Sequence, residues 1–212
     1  MKKIYNFDYY IFDCDGVILQ SNEIKTKAFK KTLSEFAKSD VNKLIDFHQS
    51  NGGMSRRKKL EYFFINILKK DTTSIDHYLD RFRKFAFDDL CGSNLIPGVY
   101  LFLELLSKNN KPCFVASGSL ESELKEIFNI KGLSYFFKDI YGTPVDKNTN
   151  VVNIKNFFNN DQRGVFFGDS KMDFEVSTNN NLDFYFIKHE TEWKNYNKYI
   201  NHNIINNFLE LI

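Results

Sequence analysis

Four short apolar runs along the 212-residue chain stop abruptly at small or polar residues. Tyr9-Tyr10-Ile11-Phe12 runs into Asp13, and Cys113-Phe114-Val115-Ala116 runs into Ser117-Gly118-Ser119. Val165-Phe166-Phe167 meets Gly168-Asp169-Ser170, and Phe184-Tyr185-Phe186-Ile187 meets Lys188. Runs of this length that are apolar at every position, without alternation, predict strands buried on both faces, as in a parallel sheet. Between them the apolar residues recur at helical spacing. Leu101, Phe102, Leu105 and Leu106 follow Pro97-Gly98, and Leu124, Ile127 and Phe128 follow Ser119, the expected N-cap, with Glu123 near the first turn. Strand–helix alternation predicts an α/β fold with a doubly wound, mostly parallel, Rossmann-like sheet, whose ligand site lies beyond the carboxyl ends of the strands. The polar residues that end the runs fall at those ends.

Residues 20–91 read differently. They hold helical patterns such as Leu60, Phe63, Phe64, Ile67 and Leu68, no convincing buried strand, and a turn-rich break from Gln49 to Ser55. The expected organisation is an α/β core made of residues 1–19 and 92–212, with a helical lobe, residues 20–91, inserted after the first strand. Phe208 to Ile212 are expected to form a terminal helix docked by its apolar face.

Composition narrows the possible functions. Twenty-nine basic and 27 acidic residues nearly cancel, which gives no electrostatic case for a nucleic-acid partner. Cys14, Cys91 and Cys113 are odd in number and far apart, so neither a disulfide framework nor a zinc knuckle is supported. No window approaches the roughly 20 apolar residues of a membrane span, and Asp8 and Asp13 interrupt the apolar stretch near the N-terminus where a signal peptide would have none. A cytoplasmic protein without a membrane partner is the expectation. His48, His77, His189 and His202 share no ligand spacing and are expected to be core or surface residues.

The chemistry is carried by two acidic clusters, each directly after an apolar run. In Asp13-Cys14-Asp15-Gly16 two carboxylates can approach one site where the strand ends, and Gly16 gives the backbone freedom to turn. A calcium loop is excluded because Val17, Ile18 and Leu19 follow where ligands are needed. In Gly168-Asp169-Ser170-Lys171-Met172-Asp173, two acids lie one helical turn apart. Like charges converging at the end of one sheet repel unless a cation lies between them, and a few carboxylate and carbonyl oxygens suit Mg²⁺.

Taken in order, Asp13-Cys14-Asp15-Gly16, the strand ending in Ser117, the loop lysine Lys147 and Gly168–Asp173 resemble the four motifs of the haloacid-dehalogenase-like (HAD) hydrolase superfamily. The resemblance covers nearly the whole chain. The inserted lobe is similar to the cap domain of the branch that holds phosphoglycolate phosphatases and β-phosphoglucomutases, and Ile96-Pro97-Gly98-Val99 is typical of the return to the core in that branch. The resemblance implies that Asp13 is the nucleophile and forms an aspartyl phosphate, and that Asp15 is the general acid–base. It implies Mg²⁺ held by Asp13 and Asp169 side chains and the Asp15 carbonyl, with Asp173 acting through water or from behind. Ser117 and amides of the following turn, starting at Gly118, would bind the phosphoryl group, and Lys147 would clamp it. Lys147 lacks the adjacent proline many relatives show, which leaves Lys155 and Lys171 as rivals. Gly53-Met54-Ser55-Arg56 resembles the substrate loop of β-phosphoglucomutase-like caps, making Arg56 a candidate for a second anionic group of the substrate; a solvated basic turn from Arg56 to Lys59 is the alternative.

Together these readings imply a Mg²⁺-dependent phosphatase acting on a small-molecule phosphate ester, such as a sugar phosphate or a short phospho-acid. The mutases carry a histidine twelve residues after the nucleophile, where this chain has Lys25, which favours hydrolysis over a sugar phosphomutase. A non-catalytic binding protein or a phospho-accepting switch on the same fold is the other alternative. Intact Asp13, Asp15, Ser117 and Asp169 argue against a non-catalytic protein, and a receiver-like switch would need neither the inserted lobe nor Asp15. Asp15 also argues against a dehalogenase, because a leaving alkoxide needs a proton and a halide does not.

Overall fold

The computed structural model describes residues 3–72 and 75–212. Six strands form one sheet: β1 (Tyr9–Phe12), β2 (Cys113–Leu120), β3 (Asp139–Thr143), β4 (Gly164–Gly168), β5 (Asp183–Ile187) and β6 (Ile204–Ile205), in the order β3-β2-β1-β4-β5-β6. Every pairing is parallel. β1 is central and wholly buried, with Phe12 opposite Val115 of β2 and Phe167 of β4. The order reverses at β1, so its carboxyl end opens onto the crevice where α/β sheets place their ligands.

Alternate residues of the same strands feed two cores. Tyr10, Phe12, Val115 and Phe167 join the larger cluster, with Phe102 and Leu106 of α5 (Val99–Lys108) and Leu124 and Phe128 of α6 (Glu121–Ile130). Tyr9, Ile11, Phe114 and Phe166 point the other way, onto Val151 and Ile154 of α7 (Lys147–Lys155) and Val176 of α8 (Lys171–Asn179). Burying both faces is why these runs are apolar without alternation. Aromatic rings dominate the larger core: Phe12 stacks on Phe167 with centroids 4.8 Å apart, and Phe102 meets both Phe12 and Phe167 edge-on. Each fully buried phenylalanine contributes roughly 1.5–3 kcal/mol relative to exposure.

Between β1 and α5 the described residues form helices: α1 (Asn22–Thr32), α2 (Lys38–Ser50), α3 (Arg56–Tyr62) and α4 (Ile75–Gly92). α3 runs on through a wide turn over Phe63–Ile67. The pattern at Leu60, Phe63 and Phe64 is buried as the periodicity predicts, and Phe29 of α1 meets Phe82 of α4 at 4.6 Å. The break from Gln49 to Ser55 separates α2 from α3, and Ser55 starts α3 by accepting from the Lys58 amide.

Three local expectations change. Ser119 is the seventh residue of β2, not an N-cap; α6 begins after Leu120, whose side chain makes no cap, and Ser119 turns into the site instead. The expected terminal helix is a single 3₁₀ turn, Phe208–Leu211, which nevertheless docks by Phe208 and Leu211 as its pattern requires. β3 and β6 join the four strands legible as apolar runs. Among the described residues no helix is long and apolar enough to cross a membrane.

Candidate active site

The loop after β1 places the first acidic pair. The Asp13 amide donates to the Phe167 carbonyl (2.9 Å), tying the ends of β1 and β4 together, and the amides of Ile18 and Leu19 then fold back onto the Cys14 carbonyl. Gly16 makes this turn with φ of +72°, and a Cβ there would lie 2.2 Å from Asp169 Oδ2. Only glycine lets the two acidic loops approach this closely. After β4, Ser170 caps α8 with a reciprocal capping box: its Oγ accepts from the Asp173 amide, and Asp173 Oδ2 accepts from the Ser170 amide (3.1 Å) and hydroxyl (2.7 Å). Asp146 caps α7 by accepting from the Thr149 amide, which sets Lys147 as the first residue of that helix.

These devices bring Asp13, Asp169 and Asp173 together, all buried, with one oxygen of each within 4.8 Å of the others. Lys147 is equally buried. Its Nζ donates to Asp173 Oδ1 (2.6 Å) and lies 3.0 Å from Asp13 Oδ1 as an ion pair without hydrogen-bond alignment. Asn22 Nδ2 donates to Asp169 Oδ2 (2.9 Å). Of the three candidate lysines, Lys147 is the one at the acids. Lys155 donates to the Asn180 carbonyl, and Lys171, half-exposed, pairs with Glu175.

Three buried carboxylates against one ammonium leave an excess of negative charge. Burial, reinforced by Asp173 and Asp15 and opposed by Lys147, pushes the Asp13 pKa up to about 7. Burial and the charges of Asp173 and Asp13 raise Asp169 well above the carboxylate range. Burial works against the charge on Lys147, but Asp13 and Asp173 outweigh it and hold its pKa up. A cluster of oxygen donors whose ionised form is under this strain fits a divalent cation. Asp173 spends both oxygens on Lys147 and Ser170, so Asp13 and Asp169 are the better direct donors.

Asp15 turns away from this cluster. Ser21 Oγ donates to its Oδ1 (2.6 Å), Ser119 Oγ donates to its Oδ2 (3.1 Å), and Lys25 Nζ pairs with Oδ2. Burial alone would raise its pKa, but the Lys25 ammonium and the two hydroxyls win and hold it down to about 2. In this arrangement Asp15 is a carboxylate, the form that accepts a proton.

Ser117 is fully buried near the end of β2, two residues past Val115, the partner of Phe12; its Oγ accepts from the Ser119 amide (3.2 Å). At Gly118 the helical lobe meets the sheet. A Cβ there would lie 2.0 Å from the Gly53 carbonyl oxygen, and one at Gly52 would lie 2.9 Å from Ser170 Cβ. The lobe is thus closed on the sheet, and the narrow cavity left between them, partly open to solvent, is lined by Asp13, Asp15, Gly118 and Asp169 from below and by His48, Arg56 and Lys59 from the lobe.

Arg56 does line this cavity, but its guanidinium is engaged. Nη1 and Nη2 donate to the two oxygens of buried Glu123 on α6 (2.8 and 2.7 Å), and the plane covers the Phe82 ring at 4.4 Å. Arg83 of α4 approaches the same Glu123 and pairs with Glu126 (2.7 Å). The basic run from Arg56 to Lys59 is the start of α3 and divides: Arg57 and Lys58 are solvent-exposed, as the solvated reading expects, whereas Arg56 pins the lobe to α6 and Lys59 is buried beside His48. Asn22, Ser119, Glu123, His48 and Lys59 all belong to the site region and carry no motif that would single them out.

The sequence profile of the haloacid dehalogenase-like hydrolase family matches residues 10–187. No curated protein matches the sequence. Crystal structures share the fold at low identity. One described as a predicted phosphatase from Clostridium acetobutylicum is 20% identical with a TM-score of 0.77, covering 97% of this chain and 96% of that one. One described as a predicted phosphoglycolate phosphatase from Haemophilus somnus is 16% identical with a TM-score of 0.75, at the same coverages of 97% and 96%. CbbY from Rhodobacter sphaeroides, in complex with phosphate, is 13% identical with a TM-score of 0.76, again covering 97% and 96%. With that profile spanning most of the sequence, the chain belongs to the haloacid dehalogenase-like hydrolase family.

Proposed function

We propose that this hydrolase is a Mg²⁺-dependent phosphatase that cleaves small phosphate monoesters through an aspartyl phosphate on Asp13, with the helices of residues 20–91 as its cap. The observation that carries the reading is the meeting of Asp13, Asp169, Asp173 and Lys147 at the carboxyl end of β1 and β4, beneath a closed lobe. Two of the structural neighbours are described as phosphatases and a third holds phosphate, which agrees with it.

Mg²⁺ would be held by the carboxylates of Asp13 and Asp169 and the Asp15 carbonyl, with Asp173 reaching it through water; when bound it supplies charge neutralisation for the phosphoryl oxygens. The Asp13 oxygen left free attacks phosphorus, a step that needs a second cation because nucleophile and ester are both anionic. Lys147, tethered by Asp173, fills that role. Ser117 and the amides from Gly118 onward bind the phosphoryl oxygens. Asp15, ionised beside Lys25, takes the proton from the water that hydrolyses the phosphoenzyme. To protonate the leaving alkoxide first, it must enter the cycle carrying a proton, which requires Lys25 to loosen its hold. Arg56 would contact substrate only by releasing Glu123, so its role in this closed form is to hold the cap.

The direct test is phosphate release over a panel of sugar phosphates, phospho-acids and an aryl phosphate with Mg²⁺ present. Turnover of several small esters is expected. Interconversion of a hexose phosphate without release of phosphate would replace this reading with a mutase, and no reaction on any ester would remove it.

Cap closure supplies a further prediction. A methyl group added at Gly118 would overlap the Gly53 carbonyl, a backbone atom that no rotamer change moves aside, so the cap must shift by about an ångström. A displacement of that size costs on the order of 10² in rate. Gly118→Ala is expected to lower kcat/KM by about that factor while the sheet stays folded; wild-type kcat/KM would show that the cap does not need to close on Gly118.

A further inference from the structure

Five lysines and arginines stand at or around the cavity, and four have carboxylate partners. Lys25 is paired with Asp15, Arg56 with Glu123, Lys147 with Asp13 and Asp173, and Lys171 with Glu175. Lys59 is different. It lies on α3, its residue is 4% exposed, and among the described residues no carboxylate forms an ion pair with it. Its Nζ rests 2.7 Å from His48 Nδ1 and 3.4 Å from the His48 carbonyl oxygen. His48 is itself 5% exposed, and both residues line the cavity.

A buried ammonium without a counter-charge is costly, and proteins rarely keep one unless it is paired or used. Glu192, Asp15 and Asp169 attract Lys59 only from beyond ion-pair distance, while Lys25 repels it; burial comes first among the causes that push its pKa down to about 7. His48 cannot supply the missing charge, since burial and the neighbouring lysines hold it neutral. With Lys59 donating to Nδ1, the ring proton sits on Nε2, which has no hydrogen-bond partner. The lobe's side of the cavity is therefore lined by a buried lysine that has no carboxylate partner and rests on a neutral histidine.

We propose that Lys59, seated on His48, binds an oxyanion on the leaving-group half of the substrate, so that this enzyme prefers small phosphate esters carrying a second anionic group over neutral ones. The inference rests on the phosphatase reading for the position of the scissile phosphate. It assigns the recognition of that second charge to Lys59 rather than to Arg56, whose guanidinium already holds Glu123.

The test is calorimetric binding of non-hydrolysable phosphonates in the presence of Mg²⁺, to wild type and to Lys59→Met. Phosphonoacetate is compared with ethylphosphonate and 3-phosphonopropionate with propylphosphonate; each pair differs by a carboxylate in place of a methyl. For ethane-1,2-diphosphonate, propylphosphonate is again the reference, and it asks whether a second phosphonate serves as well as a carboxylate. In wild type at least one phosphonate carrying a second anionic group is expected to bind roughly tenfold tighter or more than its methyl counterpart, the contribution of a charge-assisted hydrogen bond. In Lys59→Met that ratio is expected to fall to about one. A merely structural role would weaken both members of a pair and leave the ratio intact, which would overturn the proposal, as would a ratio of one in wild type. Binding of every phosphonate without discrimination removes only the Lys59 assignment; failure of all to bind, with no turnover of an aryl phosphate, removes the phosphatase reading and this inference with it. Should Lys59→Met not fold, Lys59→Gln, which keeps a donor for His48, carries the same comparison.

Discussion

Asp13→Asn is expected to lower turnover of any accepted phosphate ester by at least about 10⁴-fold and to abolish the phosphoenzyme that acid quenching traps from wild type. The size of the effect follows from position. Asp13 is the first residue beyond a strand buried on both sides, its amide is fixed to Phe167 and its carboxylate faces Lys147. An amide of the same shape keeps the backbone contacts and the packing but is no nucleophile, and no neighbour can replace it. Asp15 is turned toward Ser21, Ser119 and Lys25; Asp169 is held by Asn22; Asp173 has both oxygens engaged. Rescue by an adjacent carboxylate is thus excluded by geometry, and the loss should be near complete. The measurements are phosphate release and phosphoenzyme trapping, with near-ultraviolet circular dichroism to show that the core is intact. A folded Asp13→Asn protein that hydrolyses an aryl phosphate at the wild-type rate would sink the assignment.

How much of this could be read from the chain depended on whether a signal was local. β1, β2, β4 and β5 were legible because strands buried on both faces must be apolar at every position, and Asp13 and Asp169 stood out because each ends such a run. β3 was not, since Asp139 and Gly142 interrupt it and its burial alternates; β6, two residues long, has no pattern to find. Lys147 entered only by resemblance, because a lysine after Pro144 is unremarkable until the α7 cap and the contact with Asp13 are seen. Ser119 looked like a helix cap because serine before an apolar periodic stretch usually is one; here β2 runs on far enough to spend its hydroxyl on Asp15. The basic run from Arg56 to Lys59 read as either a ligand loop or a solvated turn. The choice could not be made without Glu123 and His48, which approach from elements 67 and 11 residues away. Long-range partners of charged residues leave no local trace, and the same limit hid His48 among four histidines of no shared spacing.

Removal of the divalent ion should change both activity and stability, with a dependence on pH whose sign is fixed by the acidic cluster. Chelation is expected to abolish turnover, and saturating Mg²⁺ is expected to raise the melting temperature more at pH 8 than at pH 6. The sign follows from linkage. Asp13 has a folded pKa raised from its ordinary 3.8 to about 7, and Asp169 shifts in the same direction, so without metal the folded state holds protons that the unfolded chain gives up. Their contribution to stability is complete below the unfolded value and is lost as pH rises through the folded one. A divalent ion binds the deprotonated oxygens, releases those protons and removes the repulsion between the carboxylates, so its stabilising effect grows over the same window. Lys59 titrates near pH 7 in the opposite sense, its depressed pKa adding stability as pH rises above that point. The Mg²⁺-induced shift cancels this background because Lys59 is present in both arms of the comparison. Asp169→Asn separates the cluster from other causes: with one direct donor replaced by an amide, the shift and its growth with pH should both shrink. An equal Mg²⁺ shift at the two pH values, or a full shift in Asp169→Asn, would mean that the ion binds elsewhere and that these carboxylates meet for some other reason.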